Sequence, residues 1–356
     1  MRFLKSMFVL AVLVYGGSYL FDRYGLSAEG SIEKMVELVE EKRLQLESKE
    51  SAPQQEDIPW EGSLFEWMGK PTAELEEQMG DPDRRDDSPY GYTWWVYTDQ
   101  ASHYLQFAIE EQKIISVYAI GKEVDIEPVS IGDSYTQVSE HFSFTEQVSY
   151  QDGLSSYTFH LSPEDLQKRP LAKISDDLYV QAYFDTFTDQ LSSIRIMNGD
   201  VLLTHRPYQV EYRGSLPEEP ELTDQQWTEI EKGMEQQVFD ITNIIRHQFE
   251  KSLVRWEENV SEVAYGHSKD MAEQDYFSHT SLNGDGLKER LALLDIPYMA
   301  AGENIAAQYP DAPSAMHGWL NSEGHRQALL NEDYTHLGVG VYHFHYTQNF
   351  IKQLSY

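Results

Sequence analysis

The 356-residue chain contains no cysteine, which excludes disulfides, thiol catalysis, Cys-ligated zinc and iron–sulfur clusters together. Cations are scarce: 27 Lys plus Arg against 60 Asp plus Glu give a formal net charge of −33. Phosphate backbones would be repelled over most of such a surface, so nucleic acid is excluded as a general partner, and so is peripheral polybasic membrane attachment. The chain also has no HExxH helix and no GxSxG elbow, which removes independent support for a conventional protease. Apolar matter is plentiful. Hydrophobic residues make up 40% of the chain and aromatics 13%, enough to exclude wholesale disorder. At ~100–200 residues per domain, the length implies two or three units.

The amino terminus points to export. Arg2 and Lys5 precede an uncharged run from Ser6 to Phe21, rich in Val, Leu, Met and Phe. That is a signal with a basic n-region, uncleaved as an anchor or removed as a signal peptide, over 1–24. No clean small-x-small triplet follows it, which favours the anchor. The basic side then stays in the cytoplasm and the acidic bulk lies outside the cell. Residues 25–59 read as a helical stalk followed by a linker. Ile32, Met35, Val36 and Val39 give a single helical stripe, and Ser48 to Pro59 is polar and aperiodic.

Residues 60–205 read as one α+β domain of two helix-plus-strands repeats. The first follows Gly69 with strand-like runs at Tyr92–Tyr97, Tyr104–Ile109 and Ile114–Ile120. The second follows Gly132 with runs at Ser156–Leu161, Leu178–Phe184 and Leu191–Met197. Leu178, Val180, Ala182 and Phe184 alternate as on a sheet with one covered face, and the six strands are expected to share a sheet. Trp94 and Trp95 must point to opposite faces, so one of them belongs to the core; an aromatic ligand platform around Tyr90 to Tyr97 is the alternative use. The segment Asp81–Asp87 (DPDRRDD) reads as solvated charge, since it lacks the alternating ligands of a calcium loop. Residues 206–222, with Pro207, Pro217 and Pro220, read as a linker.

Residues 223–356 form the last unit. Thr223 or Asp224 caps a helix whose apolar face runs from Trp227 to Phe249. Further helices are expected at Val260–Gln274 and Ala312–Leu320, and strands at Leu337–Tyr346 and Asn349–Leu354. Helices separated from a short set of strands suggest an α-β-α sandwich. Gly338 and Gly340 are too sparse for a phosphate loop and fit close packing of a strand. His267, on the apolar stripe of the second helix, reads as a core histidine; His343 and His345 share a strand face, and His336 could reach the site discussed next.

Five segments occur in order: HSKDMAEQDYFSHT (267–280), GENIA (302–306), GWLNSEGHRQALLN (318–331), YTHLGVGVY (334–342) and YTQNF (346–350). Together they resemble the CAP superfamily, named for cysteine-rich secretory proteins, antigen 5 and pathogenesis-related proteins, in its cysteine-free bacterial form. The preceding region, with MGDPDRRDDSPYGYTWWVY, resembles the domain that accompanies CAP modules in some spore-forming bacteria. The resemblance implies a cleft holding two histidines and two acidic residues, which binds zinc or another divalent ion in some members. His279, Glu303 and His325 match three of these positions. The fourth falls at Ser322, with Glu323 one step further on and rotated by ~100° on a helix.

Two functions follow as expectations. One is a membrane-tethered, extracytoplasmic, noncatalytic binding module of the cell envelope, whose ligand or protein partner meets the cleft of His279, Glu303, His325 and Glu323. The other is a hydrolase of peptide or cell-wall material dependent on Zn2+ or another divalent cation held by His279, Glu303 and His325.

Overall fold

A computed structural model describes residues 63–353. The expected membrane anchor, stalk and linker lie outside the described residues. No helix among the described residues is long and apolar enough to cross a membrane.

The first half is built on a seven-stranded antiparallel sheet of order β1-β2-β3-β4-β9-β8-β7. Its strands are β1 (Arg84–Asp87), β2 (Thr93–Thr98), β3 (Tyr104–Glu110), β4 (Lys113–Ile120), β7 (Leu171–Lys173), β8 (Tyr179–Asp185) and β9 (Gln190–Met197). The two repeats meet where β4 pairs with β9, Ser116 opposite Met197 and Ile120 opposite Ser193. Helices α1 (Thr72–Met79) and α2 (Tyr135–His141) belong to successive repeats. They contribute Leu75 and Val138 to the core under one sheet face, beside Phe107, Val117, Val180, Ala182 and Phe184.

Three sequence expectations need correction here. The run Ser156–Leu161 does not join the shared sheet. As β6 (Ser155–His160) it lies between β5 (Gln147–Asp152) and β10 (Gln209–Arg213) in a separate three-stranded sheet, and the short β7 takes its place at the main sheet's edge. The linker 206–222 is therefore partly a strand, because β10 pairs with β6 along five residues, Gln209–Arg213. The DPDRRDD segment supplies β1, and its Asp86 is buried, not solvated. Between α2 and the second half, α3 (Pro163–Lys168) and α4 (Gly199–His205) complete this region.

The second half is an α-β-α sandwich around a four-stranded sheet of order β11-β13-β14-β12. Its helices are α5 (Asp224–Gln248), α6 (Glu258–Glu273), α7 (Leu287–Leu293), α8 (Ala312–Leu320) and α9 (Glu323–Leu329). Its strands are β11 (Arg255–Trp256), β12 (Ala300–Ala307), β13 (His336–Tyr342) and β14 (His345–Lys352). Thr223 starts α5 with a capping box, its hydroxyl accepting from Gln226 N–H while the Gln226 side chain reaches back. Along β13 the alternation divides labour. Leu337, Val339 and Val341 enter the core shared with α5 and α8, while Gly338 and Gly340 face α6. A Cβ on Gly340 would overlap the α6 backbone at Ala264 and Tyr265, so the glycines allow helix and strand to touch.

The two halves share a core. Val96, Tyr104, Tyr118, Ile120 and Tyr183, on the second face of the large sheet, pack with Ile230, Met234 and Ile241 of α5 and Met316 of α8. All seven positions of β8 are consequently buried, where the sequence pattern implied one covered face. Trp94 is buried and Trp95 half-buried under the Arg85 guanidinium, 4.5 Å from its ring, so the pair does face opposite ways.

Polar groups pin the same interface. Arg84 bridges Asp86, at 2.6 Å, and Asp240 of α5, at 2.9 Å. Burial raises the pKa of both carboxyls against the pull of Arg84, that of Asp240 to about 6. Arg195, fully buried, pairs with Asp311 at the start of α8 and lies 3.2 Å from His205 Nδ1. Asp185 clasps Arg326 through two bonds of 2.9 Å.

Candidate functional site

Four elements converge on the predicted cleft. The loop after α6 carries His279, α7 carries Arg290, β12 carries Glu303 and α9 carries His325. His279 Nδ1 lies 2.9 Å from Glu303 Oε1, and Arg290 donates to Glu303 Oε2 at 2.6 Å. The rings of His279 and His325 are 6.4 Å apart between centroids. The Glu303 side chain is only 5% exposed, whereas that of His279 is 55% exposed and forms the outer wall.

Local sequence explains each placement. In β12, residues alternate, so Glu303 and Asn304 serve opposite faces. Asn304 donates to the His325 carbonyl at 3.1 Å and to Gln348 Oε1 at 3.1 Å, while Trp319 of α8 donates to Ile305 O at 2.9 Å. The helix carrying His325 is thus tied to the strand carrying Glu303. Arg290 Nη1 reaches the carbonyls of His279 and Asp285, which holds the His279 loop in shape. Gly302 leaves room for the ring of Tyr334, which a Cβ would strike.

Electrostatics follow from this burial. Burial lowers the pKa of His325, and His279 lowers it further by repulsion. His267 is buried on α6 with Nε2 3.0 Å from Ser278 O; burial lowers its pKa, Glu303 opposes this and Arg290 adds to it. It is a core histidine that braces the loop preceding His279.

Other expected residues lie elsewhere. Glu323 is exposed in the first turn of α9 and contributes nothing to the cleft wall, whereas Ser322 lines it. One helical step carries the carboxylate around to solvent. His336 hydrogen-bonds with Thr335 Oγ1 at the start of β13 and is remote from the cleft lining. His343 sits in the β13–β14 turn with its ring 4.2 Å from that of Trp227, so it does not share a strand face with His345. His345 borders the cleft beside Tyr309.

Arg290 escaped the sequence reading. Its signal was a short stripe: Leu287, Arg290 and Leu291 fall at i, i+3 and i+4, so a cation shares the buried face of α7.

The donor set is a poor match to a metal. Both Glu303 oxygens are committed, and the Arg290 guanidinium already supplies the positive charge a divalent cation would bring. Two like charges ~4 Å apart repel by ~4 kcal/mol at an effective dielectric of 20. Among the described residues no group of three or more His, Asp or Glu is arranged to hold an ion. His279 and Glu303 are hydrogen-bonded, with His325 beside them, its ring 6.4 Å from that of His279, and a Glu303 already paired with Arg290 is a poor fit to zinc.

From His325 a groove of about 680 Å³ opens past Tyr276, Phe277, Trp319, Ser322 and His345. A half-buried His325 beside the His279–Glu303 pair, at the end of such a groove, suits ligand orientation.

Comparison with known sequences now settles kinship. The cysteine-rich secretory protein family matches residues 239–353, and the CAP-associated N-terminal family matches residues 68–208. The chain belongs to the CAP family. A relative from Bacillus subtilis (strain 168), "Uncharacterized membrane protein YlbC", is 39% identical over 98% of this chain and 99% of its own length. The crystal structure of an extracellular protein containing a SCP domain from Bacillus anthracis str. Ames superposes with a TM-score of 0.78 at 40% identity, covering 85% of this chain and 99% of that one. A cysteine-rich secretory protein from Staphylococcus aureus subsp. aureus Mu50 gives a TM-score of 0.74 at 25% identity, over 82% of this chain and 94% of its own. A CAP protein with a preceding β-rich domain and no cysteine is therefore what this chain is.

Proposed function

We propose that the protein is a noncatalytic binding module of the cell envelope, tethered by its amino-terminal apolar run, with the cleft of His279, Glu303 and His325 as a recognition site. The observation that carries this reading is the engagement of both Glu303 oxygens, one by His279 and one by Arg290. A carboxylate with both oxygens engaged by cationic or N–H donors is a poor general base and a poor metal ligand. It is a good brace, fixing the His279 imidazole beside His325 at the end of the groove. Outside placement is supported by the basic-then-apolar start of the chain and by relatives named as a membrane protein and as an extracellular protein.

The test is turnover of peptide and peptidoglycan substrates by the full chain in detergent, with and without chelator. No chelator-sensitive turnover is expected. Turnover that disappears in both chelator and Glu303→Gln would replace the binding reading with that of a metal-dependent hydrolase.

A further inference from the structure

The groove at His325 does not end within the CAP sandwich. Ala272, Ala307, Gln308, Tyr309, Gly318 and His345 line both it and a second cavity of about 890 Å³. The first half of the chain contributes Tyr90, Arg169 and Arg206 to the lining of that cavity, and the second half Trp227 and Phe344. The result is one trough running from the cleft onto the accessory domain. Its two parts together exceed the ~300–1,000 Å³ of an ordinary small-molecule site.

We propose that this trough binds a neutral oligosaccharide chain, with the cleft and the accessory domain as successive subsites. Charge is the first argument. In a chain with net charge −33, the cavity wall carries three cations and three anions, each cation paired: Lys168 with Glu164 at 2.6 Å, Arg169 with Asp165 at 2.8 Å and Arg206 with Glu219 at 2.8 Å. Three minus three leaves the wall neutral, and burial lowers the pKa of His343 and His345, so these add no charge at neutral pH. An acidic polymer would meet the repulsion of the surrounding surface, and a basic one would find only paired anions in this cavity, the exposed Asp275 of the groove being the one carboxylate of the trough lining outside these pairs.

Surface chemistry is the second argument. Trp227, Phe344 and Tyr90 form an aromatic cluster that lines the cavity, Trp227 perpendicular to Phe344 at 5.6 Å and Tyr90 near-parallel to Phe344 at 6.4 Å. The negative faces of such rings attract the polarised C–H face of a pyranose. Beside these rings, the ion pairs Lys168–Glu164, Arg169–Asp165 and Arg206–Glu219 offer carboxylate acceptors and N–H donors, which is what vicinal hydroxyls require.

The proposal extends the binding reading but does not depend on the cleft brace. Its test is titration of the full chain with chitohexaose and cellohexaose, followed by calorimetry and tryptophan fluorescence, with hexaglutamate and hexalysine as charged controls. Saturable binding of a neutral hexamer is expected, at least ~10-fold tighter than its dimer and ~10-fold weaker in Trp227→Ala. Glu219→Gln, an exposed change that leaves the core intact, should weaken it too. His325→Ala should weaken the hexamer while sparing the dimer; if it has no effect, the cleft is not a subsite and the single-trough proposal fails. Absence of saturable binding by either neutral hexamer, tighter binding of either charged peptide, or unchanged affinity in both Trp227→Ala and Glu219→Gln would overturn the proposal. Chelator-sensitive hydrolysis of peptides would sink the noncatalytic reading alone and leave this one standing.

Discussion

Arg290 and Glu303 are each less than one-tenth exposed at the side chain, so each compensates the other's burial. Removing one partner strands the other: Arg290→Ala is expected to cost ~3–5 kcal/mol, read from urea denaturation, whereas the paired change Arg290→Met with Glu303→Gln should cost markedly less. A second residue-scale prediction concerns Glu235 on α5. Burial raises its pKa to about 8, against the stabilising bond from Val341 N–H at 3.1 Å. A carboxyl raised above its unfolded value of 4.5 adds stability that is complete below 4.5 and is lost as pH rises through about 8. Glu235→Gln keeps the acceptor and should flatten the fall in melting temperature between pH 5 and 8. His279, Glu303 and His325 could be named from motif words alone. Arg290 could not, because what makes it important is a carboxylate thirteen residues away that only the fold brings to it.

At the scale of elements, patterns with an internal period were legible and those set by a neighbour were not. Helix α8 carries its own signals: Asp311 caps it, Pro313 sits in its first turn and Trp319 closes its buried face, and its expected and observed limits coincide. The repeat of the first half was visible in its glycines and strand runs. The fate of Ser156–Leu161 was not, since a half-buried strand reads alike in either sheet. The acidic β1 was misread because Asp86 is buried only by virtue of Arg84 and Gln237, which donates to it at 2.9 Å. Gly338 and Gly340 were read correctly, as a strand in close contact. Gly340→Ala should therefore destabilise by more than the ~1–3 kcal/mol of ordinary overpacking, because the obstacle is helix backbone that cannot rotate away. A thermal melt of the variant, with Gly266→Ala on the open face of α6 as the control, measures this.

On the scale of the whole molecule, the accessory half is part of the CAP unit's core. Phe184 O accepts from Asn321 at 2.9 Å, and Asp185 holds Arg326 next to His325, so the first half positions the helix that lines the cleft. Asp185→Asn should thus shift the titration of His325, followed by proton NMR, without unfolding the chain. The interface also carries a pH sensitivity. Burial lowers His205 to about 4, with Arg195 adding to the effect against Asp311, and lowers His317 to about 3. Groups depressed below 6.5 give stability that is full above that value and is lost as pH falls toward about 4 and about 3, by on the order of 1.4 kcal/mol per pH unit for each. The urea midpoint should fall on acidification from pH 6.5, and less so in His317→Gln. The proposed recognition role of the cleft rests on a Glu303 carboxylate already paired with Arg290. The most direct measurement is a calorimetric titration of the full chain with zinc at neutral pH. No stoichiometric uptake at micromolar concentration is predicted; one zinc per chain, lost in both His279→Ala and His325→Ala, would contradict it.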